Sequence, residues 1–561
     1  MRLPWTFLLL ALPSLLSLHG CDPRSGDGAE TLGPPISSYS EFLDFFEEWR
    51  AFQAPELRDG APDYSAEAMA RQHEALPEYK ARLAAVDSSG WSVAEQVDLH
   101  LVRAEMNGLD FDHRVMRPWS RMPSFYKVVL PSETDVPARE GQVMHGAIEL
   151  WQFVPPLDPD RERELDERLS VIPTILSQAR ENLVEDARDL WYLGIRVKEG
   201  ESRALAAFAE RAADHHPELA TRALEARGAV DDFRDWLEAE LPSRTGPSGI
   251  GVEAYDWHLK HVQLVPYTWQ DQVTLVRRQL ERAWGFLALA ENRNRDRSAL
   301  TMVESQAEYQ MKYREAVSDF ISFLQEEGIF TLAGYEEEAL LAREGSYQPP
   351  EAGLREFFTQ VNYRDLRPMR AHGTHWFDLA RMEAEPHPSP IREAPVLYNI
   401  WASRAEGLAT GFEEWMAEAG FLDDPQLREL VWVLLAQRAA RALGELEMHA
   451  NRMTLDEAAE FIVENTPYDW LTLEGGTVWR EGQLYLEQPS YGTSYVVGKL
   501  HLDRLLADRR RQLGSAFSLQ EFMDEFHAAG LIPLSLIRWE MTGLDDEIRM
   551  MDVGSGEEGS S

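Results

Sequence analysis

Cysteine is all but missing from this chain: Cys21 is the only one in 561 residues. No intramolecular disulfide can form, so apolar packing has to supply the stability. Basic side chains are scarce as well, 55 against 96 acidic ones, which gives a formal net charge of −41. That field repels a phosphate backbone and argues against nucleic acid as a partner. There is no Gly-x-Ser-x-Gly elbow, no phosphate-binding loop, no dinucleotide fingerprint and no His-Glu-x-x-His. Serine hydrolases of that type, nucleotide triphosphatases and dinucleotide-dependent oxidoreductases therefore have no support. The long apolar run near the N-terminus, Phe7 to Leu18, is shorter than the roughly 20 residues a membrane-spanning helix needs.

What is present begins with that run. Arg2 precedes it and Gly20-Cys21 follows it, the pattern of an export signal. Leu18-His19-Gly20-Cys21 resembles a bacterial lipoprotein processing site, with His19 where a small residue is usual. Residues 1–20 then form the signal peptide, and Cys21 carries the lipid. Residues 21–36, rich in Gly, Pro and Asp, read as a flexible tether, and residues 546–561 as a disordered tail. The expected location is the cell envelope, facing the periplasm or the exterior, with the membrane contacted through the N-terminal lipid.

The body, residues 37–545, is too long for one ordinary core, since single cores stop growing near roughly 250–300 residues. It reads as helix after helix. Ser92 with Glu95, Thr454 with Glu457 and Ser518 with Glu521 each match a capping box, and Gly530 stops the third helix. Glu164–Glu185, Ser202–Ala213, Asp271–Glu291 and Leu427–Glu447 carry apolar residues at three- and four-residue spacing, which predicts amphipathic helices. Gln483–Leu486 and Ser494–Val497 are the best short strand candidates, enough for one small hairpin. The Gly/Pro/Ser stretch at 243–251 is the best internal boundary. The fold class is mainly α, one large helical body or two lobes around a cleft.

Chemistry concentrates between Met369 and Gly411, where His372, His375, Asp378 and Glu406-Gly407 fall. On a continuous helix His372 and His375 are one turn apart, as are His375 and Asp378, so a pair from this set can face one way. Glu406, on a following helix, supplies a third ligand of a type that zinc accepts. Spacing alone equally fits histidines hydrogen-bonded inside a core. His258 and His261 are one turn apart and read as helix surface. His215-His216 stands before Pro217 at a helix end. Pro386-His387-Pro388-Ser389-Pro390 reads as a stiff connector.

From about Ser40 onward the chain resembles the bacterial "domain of unknown function 885" family, which is grouped with helical zinc metallopeptidases. The resemblance rests on LVRAEMNGLDFDHRVMRPWSRMPSFY, GVEAYDWHLKHVQLVPYTW, RAEGLATGFEEWM, QPSYGTSYVVGK and FMDEFHAAGLIPLSLIRWE. It implies a large helical body of the neurolysin/carboxypeptidase-like kind. Many members carry His-Glu, then Pro-Gly-His, then Glu-Gly-Trp-Ala. Glu406-Gly407-Leu408-Ala409 falls at the last of these, His372 at the first histidine, Gly373 at the glutamate and Asp378 at the second histidine. The resemblance thus implies zinc held by His372, Asp378 and Glu406, with His375 in or beside the coordination sphere. The family's presumed general base is replaced by Gly373, so a base would come from elsewhere, such as Glu383 or Glu385. Glu445 and His449 match a later acid–His pair, and Tyr491 and Tyr495 match a Tyr-containing loop, suited to stabilising an oxyanion. The expected function is metal-dependent hydrolysis of peptide or amide bonds. The alternative is an inactive relative that binds peptides or an envelope partner.

Overall fold

The computed structural model describes residues 36–138, 142–349 and 356–552. The signal segment, Cys21, nearly all of the tether and residues 553–561 lie outside the described residues. The first residues of the expected tail, Asp546–Asp552, form a helix, with Ile548 and Met551 buried and Glu547 paired with Arg504.

Helices make up almost all of the body. Ser92 and Thr454 close complete capping boxes with Glu95 and Glu457. At Ser518 the hydroxyl accepts the Glu521 N–H. Thr268 and Asp271 form a further box. Gly530 terminates its helix in the left-handed region, at φ +86, where a residue without Cβ is favoured. The segment Glu164–Glu185 folds as two helices, Pro159–Ser170 and Ile172–Asn182. Pro173 explains the break: it offers no N–H and its ring crowds the carbonyl four residues back, yet it suits the first turn of a new helix.

Among the described residues strand structure is confined to two-residue pairs: Leu57–Arg58 lies antiparallel to Ala61–Pro62, and Val129–Leu130 parallel to Ile148–Glu149. Both strand candidates belong to helices, Gln483–Leu486 to Gly476–Glu487 and Ser494–Val497 to Tyr491–Leu513. The second of these helices is buried on most sides around Ser494–Val497, which removes the polar stripe that would have marked its period.

One apolar core runs from Ile36 to Met551 and includes Trp49, Trp191 and Trp401, each fully buried. Three helix pairs dominate the packing: Arg188–Ala212 with Pro217–Glu240, Trp269–Asn294 with Pro425–His449, and Ala402–Ala419 with Tyr491–Leu513. The 243–251 stretch is stitched down: Arg121 Nη2 donates to the Pro247, Ser248 and Gly249 carbonyls, and the Gly251 N–H to the His449 carbonyl. Among the described residues no helix is long and apolar enough to cross a membrane.

Candidate metal centre

Three central helices form the frame of the site, Ala402–Ala419, Pro425–His449 and Tyr491–Leu513, and two short ones, Arg367–His372 and Thr374–Ala384, bring its histidines. The first and third touch backbone to backbone. A Cβ on Gly407 would stand 2.5 Å from the carbonyl carbon of Gly498, and one on Gly498 would meet the Ser403 carbonyl oxygen. Only paired glycines permit this crossing, and it sets Glu406 against the start of the helix that bears Tyr491 and Tyr495.

His372 and His375 do not share a helix. His372 ends Arg367–His372, Gly373 is the junction, and His375 lies in the first turn of Thr374–Ala384. The bend turns the two rings toward each other, edge to face, with centroids 5.2 Å apart. A Cβ at Gly373 would sit 2.7 Å from Leu340 Cδ2, so the junction is closed to any larger residue unless Leu340 moves.

His372, His375 and Glu406 converge: one donor atom from each lies within 4.8 Å of the other two. The Tyr491 hydroxyl donates to Glu406 Oε1 at 2.5 Å. Glu406 Oε2 is buried and pairs with His375 Nε2 at 3.3 Å, without an aligned hydrogen bond. Glu413, two turns further along the same face, lies 3.1 Å from His372 Nδ1 and takes two hydrogen bonds from Arg438. His372 Nδ1 stands between the Glu413 carboxylate and Arg438 Nη2, the latter at 3.2 Å; the tautomer that donates Nδ1–H to Glu413 leaves Nε2 as acceptor, the carboxylate–histidine arrangement that orients metal ligands.

The electrostatics follow from burial and pairing. Burial opposes charge on both His375 and Glu406, but each is the other's partner: His375 is carried up to about 9 and Glu406 down to about 2. His372 is held below its ordinary value by burial and by the Arg438 guanidinium. In this state the cluster is a buried ion pair beside a neutral imidazole.

Asp378 is not among the three converging groups. Its carboxylate is held by two hydrogen bonds from Arg404, at 2.6 and 2.9 Å, with His527 Nδ1 at 3.6 Å. Burial pushes its pKa up, but Arg404 prevails and holds it at about 2. Arg404 lies two residues before Glu406 and so on a different side of that helix. Glu383 and Glu385 are exposed near the end of Thr374–Ala384. His449 is fully buried, bonded through Nε2 to the Tyr485 carbonyl at 2.8 Å, and burial lowers it to about 4. Glu445 caps the Tyr491–Leu513 helix, accepting the Ser490 and Thr493 N–H groups and the Tyr255 hydroxyl. His258 is buried against Phe111, away from the helix surface expected for it.

His372 opens onto a cavity of about 430 Å3 whose wall also holds Arg438, Arg441, Arg480, Lys127 and Tyr495. Arg441 lies over the Tyr495 ring at 4.1 Å and pairs with Glu481, and Lys127 pairs with Glu487. Arg480 is exposed, with no ion-pair partner among the described residues. Glu413, Arg438, Arg441 and Glu481 escaped the sequence reading. For the two arginines a signal was there: with Glu445 they interrupt a largely apolar helix at helical spacing.

Fold and site define a mainly helical protein with a His-His-Glu group, of which His372 reaches the wall of an arginine-bearing cavity. The chain belongs to the family described as bacterial protein of unknown function (DUF885), which matches residues 50–337 and 374–541. The matched segments include His375 and Glu406 and exclude His372. Two solved structures are similar. One, from Shewanella oneidensis, is named a "putative lipoprotein of unknown function"; it is 16% identical, with 90% of this chain and 100% of that chain covered and a TM-score of 0.66. The other, a "putative lipoprotein" from Colwellia psychrerythraea, is 14% identical, with 92% and 98% covered and a TM-score of 0.59. Identities this low speak for the fold alone. No curated protein matches the chain.

Proposed function

We propose that this protein is an envelope lipoprotein, anchored through Cys21, that holds a divalent ion of the zinc type and hydrolyses peptide or amide bonds. His372, His375 and Glu406 are the ligands in this reading. One observation carries it: Glu406 Oε2 is buried, its one partner is His375 Nε2 at 3.3 Å, and that pair makes no aligned hydrogen bond. Two ligands on one tetrahedral zinc stand roughly 3.3–3.5 Å apart, given bond lengths of 2.0–2.2 Å. Glu413 fixes the His372 ring and Tyr491 fixes the Glu406 carboxylate, the support that metal ligands require. When bound, the ion supplies Lewis acidity toward a carbonyl oxygen. The chain supplies the cavity that seats the substrate, Arg480 to attract anionic groups, and the Tyr495 hydroxyl beside Arg441 as a donor for developing negative charge.

A specific observation favours a second reading, binding without cleavage. Gly373 occupies the place of the expected base, and Leu340 closes that place to a longer side chain. The nearby carboxylates Glu413 and Glu481 are both engaged by arginines.

The test is elemental analysis of the chain from Cys21 onward, purified without chelator or histidine tag. About one zinc per chain is expected, with Glu406→Gln lowering both metal content and melting temperature, because an ion bound only by the folded state stabilises it. Absence of stoichiometric metal after incubation with excess zinc overturns the ligand assignment. Peptide turnover by the zinc-loaded protein separates the two readings.

A further inference from the structure

We propose that a second cavity, which shares no lining residue with the first, binds an organic ammonium ion carried on a small apolar body. The cavity measures about 200 Å3, more than the volume that takes up benzene, and holds roughly ten non-hydrogen atoms. Its wall is rich in aromatic rings, with Tyr64, Phe111, Trp119, Phe125 and Tyr398, and among the described residues it contains one carboxylate, Asp112.

Asp112 begins the π-helical turn Asp112–Met116, which extends the Val93–Phe111 helix and ends at Arg117 with φ +41. Turns of this kind re-aim side chains and gather at functional sites. The carboxyl is 8% exposed and accepts one hydrogen bond, from Gln142 Nε2 at 2.8 Å. Among the described residues it has no cationic partner. A buried carboxylate left unpaired in apolar surroundings is costly to ionise, and burial pushes Asp112 up to about 7. An entering cation removes that penalty, and the aromatic faces add attraction for the same charge. A neutral or anionic ligand gains from neither.

Two further features fit a binding site. His258, on the wall and 6% exposed, has an Nδ1 buried without a hydrogen-bond partner. Burial lowers it to about 3, so it stays neutral and does not compete with an ammonium group for Asp112. Tyr398 and Asn399 both adopt left-handed backbone, at φ +57 and +49. Strain of this kind persists where surrounding structure enforces it, and here it accompanies the Tyr398 ring in the wall.

The probe is 2-phenylethylamine, titrated calorimetrically at pH 8 into the chain from Cys21 onward, against 2-phenylethanol and phenylacetate. The amine is expected to bind at least about tenfold more tightly than the alcohol, and phenylacetate not to bind. Asp112→Asn is expected to weaken the amine by at least about tenfold, and Glu406→Gln to leave it unchanged, which keeps this site distinct from the metal centre. Leu397→Trp, which fills the cavity, serves if Asp112→Asn does not fold, and it should abolish binding. Absence of amine binding, equal binding of the alcohol, or full binding by either cavity variant overturns the proposal.

Discussion

Replacing Gly407 by Ala tests whether the glycine crossing positions the site. The added methyl would lie 2.5 Å from the Gly498 carbonyl carbon, whereas ordinary contact begins at 3.4 Å. The difference, 3.4 − 2.5, is 0.9 Å, and the obstacle is backbone, so the two helices must part by about that much. Alanine gains about 1 kcal/mol in helix propensity over glycine, while overpacking a buried contact costs about 1–3 kcal/mol. The parting also stretches the 2.5 Å Tyr491–Glu406 hydrogen bond, a charge-assisted contact worth about 1.5–3 kcal/mol. A net loss of about 2 kcal/mol is expected, together with reduced zinc content. Gly411, one turn away, is the control: its methyl would press on the end of the Leu502 side chain, at 3.2 Å, and touch Lys499 Cγ in ordinary contact at 3.7 Å, and the helix gain should leave Gly411→Ala near neutral. The assay is thermal melting by circular dichroism with elemental analysis on the same samples. An unchanged melting temperature and metal content in Gly407→Ala would refute the reasoning, as would equal damage from Gly411→Ala.

Two further outcomes follow from the same geometry. Tyr491→Phe removes the hydroxyl that fixes Glu406 and should weaken zinc about tenfold or more in competition with a chelator, with the fold retained; unchanged affinity would show that Glu406 is held by other means. Asp378 is depressed from 3.8 to about 2 in the folded state, so the stability it contributes, about 2 kcal/mol, is present above pH 4 and lost as the pH falls from 4 to 2. Urea midpoints measured between pH 5 and 2 should fall more steeply in the wild type than in Asp378→Asn, and parallel curves would contradict the Arg404 pairing.

Much of the fold was legible because its signals are local. Capping boxes at Ser92 and Thr454 and the stop at Gly530 act within one or two turns, and helices such as Trp269–Asn294 keep one solvated face that exposes their period. The strand candidates misled for a matching reason: Ser494–Val497 lies in a helix buried around most of its girth, and its pattern carries no polar stripe. At the site, His372, His375 and Glu406 were legible as residue types at suggestive spacing, and Tyr491 only through the family resemblance. Asp378 was equally suggestive, yet Arg404 takes it, and no feature of the stretch 372–378 announces a partner 26 residues away.

The sequence by itself determined the helical class, the lack of an intramolecular disulfide, the net charge of −41 and the short list of side chains able to bind a metal. These properties depend on composition and on neighbours within a few residues. Only the tertiary structure decided which acid joins the two histidines, that Glu413 and Arg438 stand behind His372, and that Asp112 faces an aromatic cavity without a cation. Those outcomes depend on helix crossings between distant segments, above all the Gly407–Gly498 contact. Such a crossing is set by the shape of two backbones meeting in space, and the order of residues along either helix does not encode it.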